Sequence, residues 1–321
     1  MDRRGMRQDS GWAYMPISAV HGMLVLCLVL LATINGVRAE AGHTAMRVVS
    51  INLCTDQLVV DLVPRDRIAG LSRLAADPVL SAVSDRVDGI KLLRGRAEEV
   101  LALRPDVVLT TAYSTPEVVA LLRRLGVRVE VIDMASDLDG VRSAIRSVAA
   151  AVGEAARGET VIADFDRRIA AARPHSPHRP TALAYQVNSL TAVPGGLLDA
   201  ALTSAGFANL AHVRKLGPAG RLPLETLIAK APDLVVLAHD PEQFRTVTAD
   251  NLRHRAFQSL LDRRRHVHVP MPLWLCGTPA LATAIEALGR ERAALMRASV
   301  SAGRDPLISA EDAVGTAALR R

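Results

Sequence analysis

The chain has 321 residues, half of them hydrophobic and 22% charged, which is enough material for two lobes of ordinary size, each with its own core. Its formal charge of +6 comes from 39 Lys and Arg against 33 Asp and Glu. The basic residues are interspersed with acids, so there is no nucleic-acid stripe and no nucleic-acid partner is expected. Three cysteines in the whole chain exclude a disulfide-dense scaffold.

In chain order, the first feature is the apolar run Gly22 to Ile34, preceded by Arg3, Arg4 and Arg7 and followed by Val37 and Ala39. This pattern reads as a secretory signal peptide over 1–39, cut near Ala39 and Glu40. At about 13 residues the run is short of the roughly 20 that a membrane span needs. Cys27, inside it, lacks the small-residue context of a lipid-attachment site. Removing the segment takes away four arginines and two aspartates and leaves a net charge of about +4.

Short apolar runs then alternate with helical patterns: RVVSI (47–51) and DQLVVDLV, DVVLTT (106–111) and PEVVALLRRLG, RVEVID (128–133) and DLDGVRSAIRSVAAAV. After Pro180 the alternation resumes with TALAYQ, LLDAALTSAG, DLVVLA and HVHVP, and a last helix is expected from about Thr278 to Met296. Such alternation predicts an α/β fold of two Rossmann-like lobes, each a parallel sheet covered by helices. Between them, Ala155, Val161, Ile162, Phe165 and Ile169 share one face at helical spacing, which predicts one long, rigid interlobe helix over Glu154–Arg173. Three prolines at 174, 177 and 180 end it. The expected organisation is an N-terminal lobe over 46–152, the joining helix over 153–174, a C-terminal lobe over 180–297 and a disordered tail over 298–321.

One phrase occurs twice. EEVLALRPDVVLTT begins at Glu98 and ETLIAKAPDLVVLA at Glu225. Aligning these glutamates superposes Leu101 on Ile228, Ala102 on Ala229, Pro105 on Pro232 and Asp106 on Asp233. Each copy reads as a short helix, a Pro-Asp turn and a buried strand, in the same place in two similar lobes.

In open parallel sheets ligands bind at the carboxyl ends of the strands. Those positions carry Asn52, Cys54 and Asp56; Tyr113 and Ser114; Tyr185, Gln186 and Asn188; His239 and Asp240; and Trp274 and Cys276. Beyond the signal segment the chain has one Trp and two Tyr, and all three fall in these loops. Ligand contacts are therefore expected from Asn52, Cys54, Asp56, Tyr113, Tyr185, Asn188, His239, Trp274 and Cys276. Cys54 and Cys276 are read first as small buried residues, then as a disulfide across a cleft, then as thiolate ligands. His266 and His268 share a strand face, read as solvent-facing in preference to metal-binding. The chain carries no G-x-S-x-G, no P-loop, no G-x-G-x-x-G after a strand and no H-E-x-x-H, so a receptor is expected in preference to an exported α/β enzyme, with no cofactor and no structural metal of its own.

The start RVVSINLCTDQLVVDLVPRDRIAGLS, the paired phrases AEEVLALRPDVVLTT and PLETLIAKAPDLVVLA, and the helix between them resemble the periplasmic substrate-binding proteins of cobalamin and iron-siderophore ABC importers, over about Met46 to Leu288. That resemblance implies a receptor that holds a metal chelate between two lobes bridged by one helix and delivers it to the permease of an importer in the inner membrane. It implies that one surface glutamate per lobe docks on permease arginines, and Glu98 and Glu225 match those positions. The chain is expected to work as a monomer. Cobalamin or another corrinoid would suit the aromatic and neutral residues; an anionic ferric siderophore would call on Arg73, Arg94, Arg96 or Arg221; haem, with Tyr, His239 or Cys as axial ligand, is the alternative of the same type.

Overall fold

The structure is a computed structural model that describes residues 46–174, 176–213, 220–238 and 249–301. The segment read as a signal peptide, the tail beyond 301, and His239 and Asp240 lie outside the described residues. No helix among the described residues is long and apolar enough to cross a membrane.

Five strands, β1 (Val48–Ser50), β2 (Ile68–Ser72), β3 (Leu92–Leu93), β4 (Val107–Thr111) and β5 (Val129–Ile132), form an all-parallel sheet in the order β3-β2-β1-β4-β5. Four more, β6 (Thr181–Ala184), β7 (Ala208–Asn209), β8 (Leu234–Leu237) and β9 (Arg265–His268), form a second parallel sheet in the order β7-β6-β8-β9. Two parallel α/β lobes are thus present. The helices, in chain order, are α1 (Leu53–Leu62), α2 (Ala97–Ala102), α3 (Pro116–Arg124), α4 (Leu138–Val152), α5 (Ala155–Ala172), α6 (Leu197–Ser204), α7 (Leu224–Lys230), α8 (Asp250–Arg253), α9 (Arg255–Arg263) and α10 (Leu281–Ser301).

Strand residues alternate between two cores, as a pleat with a period of two requires. Val48, Val107 and Leu109 of the first sheet, and Ala182, Ala184, Leu234 and Val236 of the second, enter one buried cluster shared by both lobes. The opposite faces fill separate cores: Val49 and Val108 under α2 and α3, and Leu183, Tyr185, Val235 and Leu237 with Phe257 of α9. The shared cluster runs through Ile145 of α4, Ile162, Phe165 and Ile169 of α5, and Ile285 and Leu288 of α10.

The expected joining helix is α5, with Glu154 and Arg173 as its caps. Its 18 residues span about 27 Å at 1.5 Å per residue. It is held on both sides. Toward α4, Arg146 meets Glu159 at 2.7 Å, and Gly158 passes so close to Ala149 that a Cβ there would lie 2.6 Å from the alanine methyl. Toward α10, Arg168 makes a bidentate pair with Glu286 at 2.7 and 2.8 Å.

Three strands are absent from the pattern read in the sequence: β2, interrupted by Gly70, and the two-residue β3 and β7. At the other end α10 continues to Ser301. Residues 298–301, expected in a disordered tail, form the last turn of this helix, where the Ser299 and Ser301 hydroxyls donate to the Leu295 and Ala298 carbonyls.

The repeated phrase is a repeated structure. α2 leads through the Pro-Asp turn to β4, and α7 leads likewise to β8, each strand lying beside the first strand of its own sheet. Even the backbone repeats: Arg104 and Ala231, equivalent in the alignment, both adopt left-handed conformations, with φ of 47° and 43°.

Candidate functional site

The order of the first sheet reverses between β1 and β4, and a crevice opens outside the carboxyl ends of strands at such a switch point. A cavity of about 410 Å³ lies there. β1 delivers Asn52 and Cys54, β4 delivers Thr111, Tyr113 and Ser114, and Leu74, Arg94, Met134, Leu275 and Cys276 are among the residues of its other walls. A second cavity, of about 420 Å³, lies between α5 and α10 and is lined by Arg168, Arg173, Glu286 and Arg292. It is away from the strand ends.

Local sequence sets each of these side chains. Asn52 caps α1, its Oδ1 accepting the N–H of Cys54 at 2.9 Å. The turn after β4 is closed by the Thr111 hydroxyl, which accepts the N–H of Tyr113 at 3.3 Å, and by a Thr110–Ser114 hydroxyl contact. Tyr113 is left 82% exposed at the cavity. That is unusual for a large aromatic, and exposed aromatic area beside a cleft is a mark of a binding surface. Arg94 projects from the loop before α2; only its backbone N–H is engaged, with Glu99 at 2.8 Å, and its guanidinium has no ion-pair partner among the described residues.

Four residues expected at the site therefore line the cavity together: Asn52, Cys54, Tyr113 and Cys276. The cysteines correct the first reading of them as simple buried residues and remove them as thiolate ligands, because they form a disulfide with a Cα–Cα distance of 4.9 Å across 222 residues of sequence. Asp56 is also corrected. It is fully buried, accepting the Ser72 N–H at 3.1 Å and the Ser72 hydroxyl, and burial pushes its carboxyl up to about 7 against the opposing hydrogen bonds from Ser50 and Ser72. Tyr185 is likewise interior: its ring packs 5.0 Å from that of Phe257 and its hydroxyl meets Ser189 at 3.1 Å. The residue after a strand continues the pleat, and at Tyr185 the pleat points into the second-lobe core.

Trp274 departs from expectation as well. It is half-buried against the shared core, donates from Nε1 to the Val269 carbonyl at 3.2 Å, and does not line the cavity. Asn188 is half-buried in the turn after β6, where it and Ser189 hold left-handed backbone at φ 58° and 57°. Strain of that kind is concentrated at functional turns. Of the candidate cations, Arg94 lines the cavity, whereas Arg73, Arg96 and Arg221 do not. His266 and His268 are exposed on β9, and no cluster of three or more potential metal ligands occurs among the described residues. Leu74, Met134 and Leu275 were missed, although Leu74 and Met134 follow β2 and β5 as Tyr113 follows β4.

Residues 48–260 match the family model described as periplasmic binding protein. The chain belongs to that family. A "Cobalamin-binding protein" of Halobacterium salinarum is 27% identical over 209 residues, which are 61% of this chain and 57% of that relative. The match thus covers somewhat over half of the relative's length. Among solved structures, the "Periplasmic heme-binding protein BhuT in complex with two hemes" superposes with a TM-score of 0.61 at 27% identity, covering 78% of this chain and 98% of that one. The heme-binding RhuT from Roseiflexus sp. RS-1, in apo form, superposes with a TM-score of 0.62 at 25% identity, covering 77% and 97%.

Proposed function

We propose that the chain is a receptor that captures a metal chelate, a corrinoid or a ferric chelate, in the cleft between its lobes and hands it to an ABC importer. The observation that carries this reading is the cavity at the β1–β4 switch point, with Tyr113 exposed beside Arg94, Leu74 and Met134. An aromatic face and apolar walls suit a flat macrocycle, and one free guanidinium suits a peripheral carboxylate or amide. Membership of a binding-protein family supports a non-enzymatic role in the periplasm, with export by the 1–39 segment. The metal enters with the ligand, so the protein needs no resident cofactor. Glu98 and Glu225, both exposed in the first turns of α2 and α7, are the proposed contacts to the permease, made by a monomer.

Haem is a second reading with an observation of its own, because the Tyr113 phenol stands free in the cavity and a phenolate oxygen can serve as an axial ligand to ferric iron. The test is titration of the purified protein with cyanocobalamin, haemin and ferric siderophores, followed by absorbance and calorimetry. Saturable one-site binding of one of these supports the reading. Turnover of a substrate with no chelate bound would overturn it.

A further inference from the structure

The two lobes meet at the floor of the cavity as well as in the shared core. Cys54 stands in the first turn of α1, directly after β1 of the first sheet. Cys276 stands in the loop between β9 of the second sheet and α10, and the bond joining them lines the cavity from both sides. The next residue, Gly277, reinforces the joint. It has φ +44°, and a Cβ there would lie 2.5 Å from the Ala135 methyl, beyond β5 of the first lobe, and 3.3 Å from Leu197 of the second. Only a glycine fits that wedge without pushing the lobes apart. Trp274 braces the same loop through its bond to Val269.

A disulfide keeps the two Cα atoms it joins within about 4.4–6.8 Å, so it limits how far two packed bodies can separate at that point. The shared core through α4, α5 and α10 is the first attachment. We infer that the Cys54–Cys276 bond is the second, a covalent one, and that this pair is a positioning device for ligand binding: it sets the spacing of the cleft walls that carry Asn52 on the first lobe and Leu275 on the second. The restraint does not depend on which chelate binds, or on whether one binds.

The experiment uses the full chain in three forms: oxidised, reduced with a phosphine, and Cys54→Ala/Cys276→Ala. Hydrogen exchange at the backbone amides of 52–56 and 273–278 reports the joint directly, without ligand. Exchange there should rise at least tenfold on reduction and in the double variant, while Ile162 to Ile169 of α5 stays protected. Dissociation of bound cyanocobalamin or haemin should then quicken about tenfold. If both segments stay as protected in the reduced protein as in the oxidised one, the bond does not hold the lobes and the inference fails. Should the double variant fail to fold, reduction of the folded wild type still decides. Should neither probe bind, the receptor reading is the one that suffers, since the exchange result stands alone.

Discussion

Asp106 and Asp233 do the same work in different lobes. The Oδ2 of Asp106 accepts the N–H of Arg47, one residue ahead of β1, at 2.6 Å. The Oδ2 of Asp233 accepts the N–H of Thr181, where β6 starts, at 2.7 Å. In each case the turn that launches one strand pins the start of its neighbour, so the recurring Pro-Asp is a register device. Replacing either aspartate with alanine should cost about 1 to 2 kcal/mol, the scale of a charge-assisted bond to backbone. The two losses should add, since the sites share no partner. Urea midpoints of both single variants and the double variant check this.

Glu98 and Glu225 should leave ligand affinity unchanged when both become alanine, because both are exposed and neither lines the cavity. Binding to the reconstituted permease should fall, and reversal to lysine should hurt more, because like charge then meets like. Added salt should weaken the wild-type complex more than the alanine variant. A double variant with wild-type uptake and wild-type salt dependence would reduce both glutamates to helix-start residues favoured by the dipole.

Tyr113 and Trp274 should separate affinity from stability. Tyr113→Ala removes an exposed ring at the cavity and should weaken chelate binding by about 1 to 3 kcal/mol with little change in melting. Trp274→Ala removes a half-buried brace and should lower stability by about 2 kcal/mol. Melting curves and titrations on the same two samples test the contrast.

Asp56 makes stability depend on pH. Its folded value near 7 stands above the ordinary 3.8 because the carboxyl is buried, so folding binds a proton between those values. The penalty is therefore absent below about pH 4, grows as pH rises and is complete above about pH 7. Wild-type protein should lose a few kcal/mol between pH 5 and pH 8 from this group, and Asp56→Asn should flatten that slope. Equal slopes in urea unfolding at the two pH values would contradict it.

Architecture was legible where the signal was periodic. The Glu-headed phrase marked equivalent strands, β4 and β8, because a helix, a Pro-Asp turn and four apolar residues leave a long trace. Two-residue strands such as β3 and β7 leave none. At the site, position after a strand picked out Asn52, Cys54, Tyr113 and Cys276, which line the cavity, yet it also admitted the interior Asp56 and Tyr185. The rule fixes how far along the chain a residue lies, but burial depends on which face the pleat or helix presents, and Tyr185 falls in the phase of Leu183 and Leu237. The sequence ranks the disulfide only second because pairing depends on how closely two lobes approach, a property of neither segment alone.

The disulfide also decides what a protease can do. Cys54 and Cys276 enclose most of the described chain in one covalent ring. A single backbone cut at any bond between them yields two polypeptides that remain one molecule. Such a nicked protein would run as an intact chain on a gel without reductant and split into fragments only when thiol is added.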